Sequence, residues 1–366
     1  MTIITNFMKF VKFLGMKSLT IEKVVLICIC LIIIIAFFSK DLSIKYHKNL
    51  LWNLWLYENV EEVVAEKLGN LENITWNLYY SPVNSWNAFS KSLSSADDTV
   101  KIQTYEYTKK EIKQIMKWLL EKWVIVKLIM EDKKYQQYQN TRNQVEEYFS
   151  DYPRFQIKSD EQMWTLYTHS KIALIDSWFW IQTANLTHSS FFTNREHFFY
   201  SENSGVWNSL NTIFDKDWNW EELYLDDIHP NLVICNINCR AVIENLLSNA
   251  KKSILIQTQY IVDENILEIL KNKSVELDDM RFIVSDTDSN DYLIEYFGPW
   301  IARKFKKYYN HTKMILIDNE KLLLWSMNLS DTSLDKNREV WIILIDSGII
   351  NQYKELFEKD RRMINN

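Results

Sequence analysis

His169-Ser170-Lys171-Ile172-Ala173-Leu174-Ile175-Asp176 and His311-Thr312-Lys313-Met314-Ile315-Leu316-Ile317-Asp318 write one pattern twice: a histidine, a lysine, four apolar residues and an aspartate. Asn185 and Glu196 follow the first copy, Asn328 and Glu339 the second. Counted from the histidine, the lysine, aspartate, asparagine and glutamate stand at 2, 7, 16 and 27 in one copy and at 2, 7, 17 and 28 in the other. Agreement to within one residue implies a duplicated unit. Two histidines facing one site are what phosphodiester exchange through a covalent intermediate requires.

The duplication extends beyond the motif. Segment 98–105 resembles 252–259, and each precedes a helical pattern, at 109–116 and 264–270. The copies are offset by 154 residues there and by 142 at the histidines, so the first should hold an insertion of about a dozen residues, expected within 133–147. Each unit reads strand, helix, strand, catalytic hairpin, which is α/β with helices covering a mixed sheet. A boundary at 226–230 divides the chain into 1–48, 70–225 and 226–366, and the 366 residues suffice for two cores.

Strand periodicity places His169, Lys171, Ala173 and Ile175 on one face and Asp176 on the other, and separates His311 and Lys313 from Asp318 in the same way. The aspartates are therefore expected to fix hairpin turns. The returning strands can lay Asn185 and Asn328 opposite their own histidine and lysine. A neutral imidazole attacks phosphorus and a protonated one serves the leaving oxygen, while Lys171, Lys313, Asn185 and Asn328 hold the non-bridging oxygens. Glu196 and Glu339 each accept the distal ring N–H of a histidine. No metal or other cofactor is called for. A bell-shaped pH–rate profile is expected.

These residues resemble the two HKD motifs of the phospholipase D superfamily, HxKxxxxD followed by Asn and Glu, over most of 75–360. The resemblance implies two pseudo-symmetric α/β sandwich domains with mixed sheets and a cardiolipin synthase-like enzyme that hydrolyses or transfers phosphatidyl groups. It also implies a phospholipid substrate, His169 as nucleophile and His311 as general acid. One chain carries both copies, so a monomer suffices for a complete site. A metal-independent nuclease and an inactive membrane scaffold are the competing readings. The family pattern Gly-Ser-x-Asn meets Trp325-Ser326-Met327-Asn328 here, and the first copy departs from it with Gln182-Thr183-Ala184-Asn185.

The chain has 5 Gly and 15 Trp, where about 7% Gly, roughly 25 residues, is usual. Trp123 falls between a helical pattern and the strand-like 124–129, a helix end that wants positive φ. Trp178 and Trp180 are read in the turn after Asp176, and Trp325 stands where the family has glycine. These tryptophans are read as UGA codons belonging to a lineage that translates UGA as glycine.

Residues 24–38 form an unbroken apolar run between Lys23 and Lys40. Fifteen helical residues span roughly 22 Å, and snorkelling lysines extend the reach, so a single transmembrane anchor is expected. Phe7, Phe10, Val11, Phe13 and Leu14 with Lys9, Lys12 and Lys17 suggest an amphipathic helix on the inner surface. The lysine balance places the catalytic part outside the cytoplasm. A net charge of −6 disfavours nucleic acid as partner. Cys28 and Cys30 are read as packing residues, and Cys235 and Cys239 as free thiols, with a bridge as the alternative if the domain lies outside the cytoplasm. His47, His188, His197 and His229 are read as ordinary core or surface residues. Arg195 and Arg338 are phosphate anchors or structural ion pairs, and 303–307 lines the mouth of the site or a solvated helix face.

Overall fold

The computed structural model describes residues 60–132, 136–163, 165–326 and 328–364. The expected anchor at 24–38 and the segment before it lie outside the described residues. Among the described residues no helix is long and apolar enough to cross a membrane.

Glu61–Asn366 forms one compact unit. Its first half supplies β1 (Asn77–Tyr80), β2 (Thr99–Thr104), β3 (Ile125–Met130), β4 (Phe155–Ser159), β5 (Ile172–Ile175), β6 (Trp178–Gln182), β7 (Asn194–Arg195) and β8 (His197–Ser201). The second supplies β9 (Leu232–Ile234), β10 (Ser253–Gln257), β11 (Asp279–Ser285), β12 (Ala302–Phe305), β13 (Tyr309–Asn310), β14 (Met314–Ile317), β15 (Lys321–Trp325) and β16 (Val340–Leu344). Two seven-stranded mixed sheets result, in the orders β1-β8-β6-β5-β2-β3-β4 and β12-β11-β10-β14-β15-β16-β9. Read from its far edge, the second matches the first strand for strand. In each, only the pairs β2/β3, β3/β4 and β10/β11, β11/β12 are parallel.

The sheets share a core. Ile172 and Leu174 of β5 and Met314 and Leu316 of β14 join one apolar cluster with Val206, Ile213, Ile349 and Phe357 of the helices Ser204–Asn219 and Ser347–Met363. Ala173 and Ile175 face the outer helical layer instead. Covered on both faces, β5 and β14 need unbroken apolar sequence, which is why the motif carries four such residues in a row. Asn203 and Asp346 cap the two helices by accepting the N–H groups of Val206 and Ile349.

Strand register divides the expected insertion. Leu128 pairs with Ile157 and its counterpart Phe282 with Ala302, so the offset has fallen from 154 to 145 by β4. Val100 pairs with Ile175 and Ile254 with Ile317, which completes the fall to 142. Nine extra residues therefore belong to the connection holding the helix Gln136–Tyr148, and three lie between β4 and β5.

Trp123 has φ 71° and Trp220 has φ 57°, a region costly for any residue with a Cβ and natural to glycine at a helix end. Trp178 and Trp180 are not in the turn. The turn is only two residues long, Asp176-Ser177, so Trp178 already pairs with Ile175 and Trp180 with Ala173. A second anomaly is chemical, since the indole N–H groups of Trp76, Trp178, Trp207, Trp220, Trp325 and Trp341 are buried without an acceptor, each a desolvation cost. Trp123 is 72% exposed, with the Arg154 guanidinium over its ring. Trp123→Gly is therefore expected to stabilise the fold by about 1 kcal/mol, seen as a higher urea midpoint at unchanged slope. The gene should carry UGA at this codon, and UGG there would refute the recoding.

Cys235 and Cys239, expected as free thiols, form a disulfide. Asn236, at φ 66°, turns the chain immediately after β9, and the helix Cys239–Ser248 starts three residues later. That turn brings the two Cα atoms to 4.8 Å, within bridging range.

Candidate active site

Each motif straddles a strand start. His169, Ser170 and Lys171 precede β5, whereas sequence periodicity ran the strand from His169. Asp176 ends the strand with φ 49°, and its carboxylate accepts the N–H groups of Asp97, Asp98 and Thr99 at 2.8, 3.0 and 2.8 Å. Asp318, at φ 55°, accepts those of Lys251, Lys252 and Ser253 at 3.0, 2.6 and 2.9 Å. Both carboxylates thus tie a hairpin tip to the start of β2 or β10.

The arm carrying each histidine is clipped to the opposite half. The His169 N–H donates to the Arg338 carbonyl at 2.9 Å and that of His311 to the Arg195 carbonyl at 3.1 Å. β13 pairs in parallel with β7, placing Asn310 beside Arg195.

The side chains cross as well. His169 Nδ1 lies 2.9 Å from Glu339 Oε1, and His311 Nδ1 lies 2.7 Å from Glu196 Oε1. Both carboxylates are fully buried, and each accepts a second hydrogen bond, from Thr183 Oγ1 at 2.6 Å on Glu196 and from Ser326 Oγ on Glu339. Burial opposes their ionisation, but the histidine, lysine and hydroxyl around each hold both carboxyls below the usual range. An ionised carboxylate on Nδ1 selects the tautomer with hydrogen on Nδ1 and leaves Nε2 for chemistry.

Lys171 Nζ donates to the His169 carbonyl at 2.7 Å and Lys313 Nζ to the His311 carbonyl at 2.6 Å. Burial lowers these ammonium groups to about 7 and about 8, against the pull of Glu196 and Glu339. Burial also lowers His169 to about 4, with Lys171 and Lys313 pushing the same way and Glu339 opposing. His311 is lowered by burial and Lys313, with Glu196 opposing. Each histidine feels the lysine of the other copy, so both copies form one electrostatic unit.

Asn328 lines a cleft of about 360 Å³ together with His169, the histidine of the other copy. The Oδ1 atoms of Asn185 and Asn328 are buried with no partner among the described residues. Arg195 pairs with Asp360 at 2.7 Å and Arg338 with Asp217 at 3.1 Å, each aspartate also held by Gln257 or Gln103. The two arginines are thus structural ion pairs across the halves. The basic run starts on edge strand β12 and continues past its end rather than forming a helix; Lys304 pairs with Asp291, and the cleft holding Arg303, Lys304 and Lys306 shares no residue with that of His169. Sequence reading overlooked Thr183 and Ser326, although a hydroxyl two residues before each asparagine is itself repeated.

A family model described as "Cardiolipin synthase, PLD-like domain" matches residues 89–218 and again 243–361, once for each half of this site. The chain belongs to the phospholipase D-like family. Within its cardiolipin synthase-like branch, the chain is 27% identical over 125 residues to cardiolipin synthase 1 of Bacillus cereus, a match covering 31% of this chain and 25% of that protein. It is 29% identical over 126 residues to cardiolipin synthase 1 of Staphylococcus epidermidis, covering 31% and 26%. The match thus spans about a quarter of these relatives. The fold is shared with phosphatidylserine synthase of Haemophilus influenzae Rd KW20 (TM-score 0.59, 12% identity, 82% of this chain and 91% of that one). Polyphosphate kinase from Porphyromonas gingivalis shares it too (TM-score 0.63, 13% identity, 79% and 47%).

Proposed function

We propose that this chain cleaves or transfers phosphatidyl groups at a membrane through a phosphohistidine on His169. The observation that carries the proposal is the crossed pairing of His169 with Glu339 and His311 with Glu196, which makes one site from two copies. His169 Nε2 attacks phosphorus as the bond to the alcohol oxygen breaks, and protonated His311 gives that oxygen its proton. An acceptor hydroxyl then loses its proton to His311 while its oxygen displaces His169. Water as acceptor gives hydrolysis, and a lipid alcohol gives transfer. Lys171, Lys313, Asn185 and Asn328 hold the non-bridging oxygens. The fall of His169 to about 4 supports it as the neutral nucleophile. A phosphodiester anion arriving beside His311 favours its charged form.

The family relatives support a phospholipid substrate. The apolar run 24–38 supports a membrane anchor, and the Cys235–Cys239 bridge supports a catalytic part outside the cytoplasm, where disulfides persist.

The pH dependence follows from the lysines. Their folded values are depressed, so they lose charge as pH rises through about 7 and about 8, and kcat/KM should fall across that interval. Initial rates between pH 5 and 9 check this, and a rate still climbing at pH 9 would contradict it. The test of function is an assay on mixed phospholipid vesicles for released headgroup against diphosphatidyl product, with and without EDTA. Turnover that needs a divalent ion would sink the mechanism.

A further inference from the structure

His197 lies outside every role assigned above, yet it stands next to Glu196 and is wholly buried. Its Nδ1 meets the hydroxyl of Thr312, the residue between His311 and Lys313. Its N–H donates to Thr183 Oγ1 at 3.0 Å, the same hydroxyl that holds Glu196. The ring sits edge-on to Tyr353 at 5.8 Å. The other copy has no such contact. Val340 occupies the place of His197, its N–H on Ser326 Oγ, and Ser170 occupies the place of Thr312. The Ser170 hydroxyl is buried with no partner among the described residues. The twofold arrangement is therefore broken at one spot, behind the His311 arm.

We propose that His197 is a positioning residue that pins the His311-Thr312-Lys313 arm through Thr312, a restraint that the His169 arm lacks. Thr312 lies between His311 and Lys313 in the chain, so a hydrogen bond on Thr312 restrains the backbone that carries both. Burial, with Arg195 nearby, holds the His197 imidazole well below its ordinary value, so it is neutral and acts by hydrogen bonding alone. A proton shuttle must serve two successive alcohols from one place. A nucleophile must close from contact distance to a bond. The asymmetry suits that division of labour.

The inference rests on the phosphohistidine reading, and its test separates the two. Phosphatidyl-p-nitrophenol has a leaving group that departs without a proton, so only the second step needs His311. The enzyme should release one rapid equivalent of nitrophenolate and then turn over slowly. His197→Val and the near-isosteric Thr312→Val should keep the burst rate and amplitude and lower the steady state by about tenfold to a hundredfold, the range for a misplaced catalytic group. Their effects should not add, and His197→Asn, which can still bond Thr312, should restore the rate. A wild-type enzyme with no burst removes the phosphohistidine reading and this inference with it. A wild-type burst with unaltered steady state in both variants, or burst and steady state falling together, removes the inference alone.

Discussion

His169→Ala is expected to lower phospholipid turnover by about ten-thousand-fold or more, equivalent to about 5.5 kcal/mol at the barrier. The magnitude follows from the covalent step. Without that imidazole the remaining one, His311, would have to serve as nucleophile and acid at once, while Lys171 and Lys313 are held against backbone carbonyls and the two glutamates are engaged by histidine and hydroxyl. Alanine should leave the fold in place, since the side chain of His169 is 16% exposed and lies at the site rather than in the core. Steady-state assays on vesicles, with thermal melting as a control, measure both. Activity within tenfold of wild type would show that His169 is not the nucleophile.

Exchanging the glutamates for glutamine should produce two different defects, and the crossing decides which is which. Glu339→Gln replaces the ionised acceptor on His169 Nδ1 with a neutral amide that can also donate. The imidazole then loses its selected tautomer, and the first step should slow by about a hundredfold to ten-thousandfold. The nitrophenolate burst slows with it. Glu196→Gln acts on His311 instead. With an activated leaving group its burst should survive while the second step slows, and with an ordinary phospholipid both steps should suffer. If each glutamate served its own copy, the two phenotypes would be exchanged. Rapid-quench measurements on the two variants separate the cases.

The duplicated motif made the succession of elements in both halves legible in outline, because each copy had to supply the same strand, helix, strand and hairpin, whereas the order of strands in the sheets was not read. The four apolar residues between Lys171 and Asp176 were read only as a strand with alternating faces, and β5 proves to be covered on both. The crossing was not legible. Spacing along one chain places Glu196 27 residues after His169, and nothing in that number says that its partner is His311 from the other half. Only the packing of the two sheets settles it. The disulfide was left undecided for a related reason, since three residues lie between Cys235 and Cys239 in extended chain and in turn alike, and the turn depends on Asn236 adopting positive φ. His197 was passed over because a lone histidine in an apolar strand is usually core, and its counterpart Val340 drew no attention to it. The tryptophans pull the other way. At Trp123 sequence context alone marked the helix end, whereas for Trp178 and Trp180 the turn proved too tight to contain them.

The central claim is that imidazoles from both halves serve a single phosphorus atom, with the covalent bond on His169. The most direct measurement is mass spectrometry of His311→Ala quenched milliseconds after mixing with phosphatidyl-p-nitrophenol in the presence of EDTA. The first step needs no proton from His311 and the second does, so one phosphatidyl group should accumulate on the peptide that contains His169. No adduct, an adduct on another residue, or labelling that requires a divalent ion would contradict it.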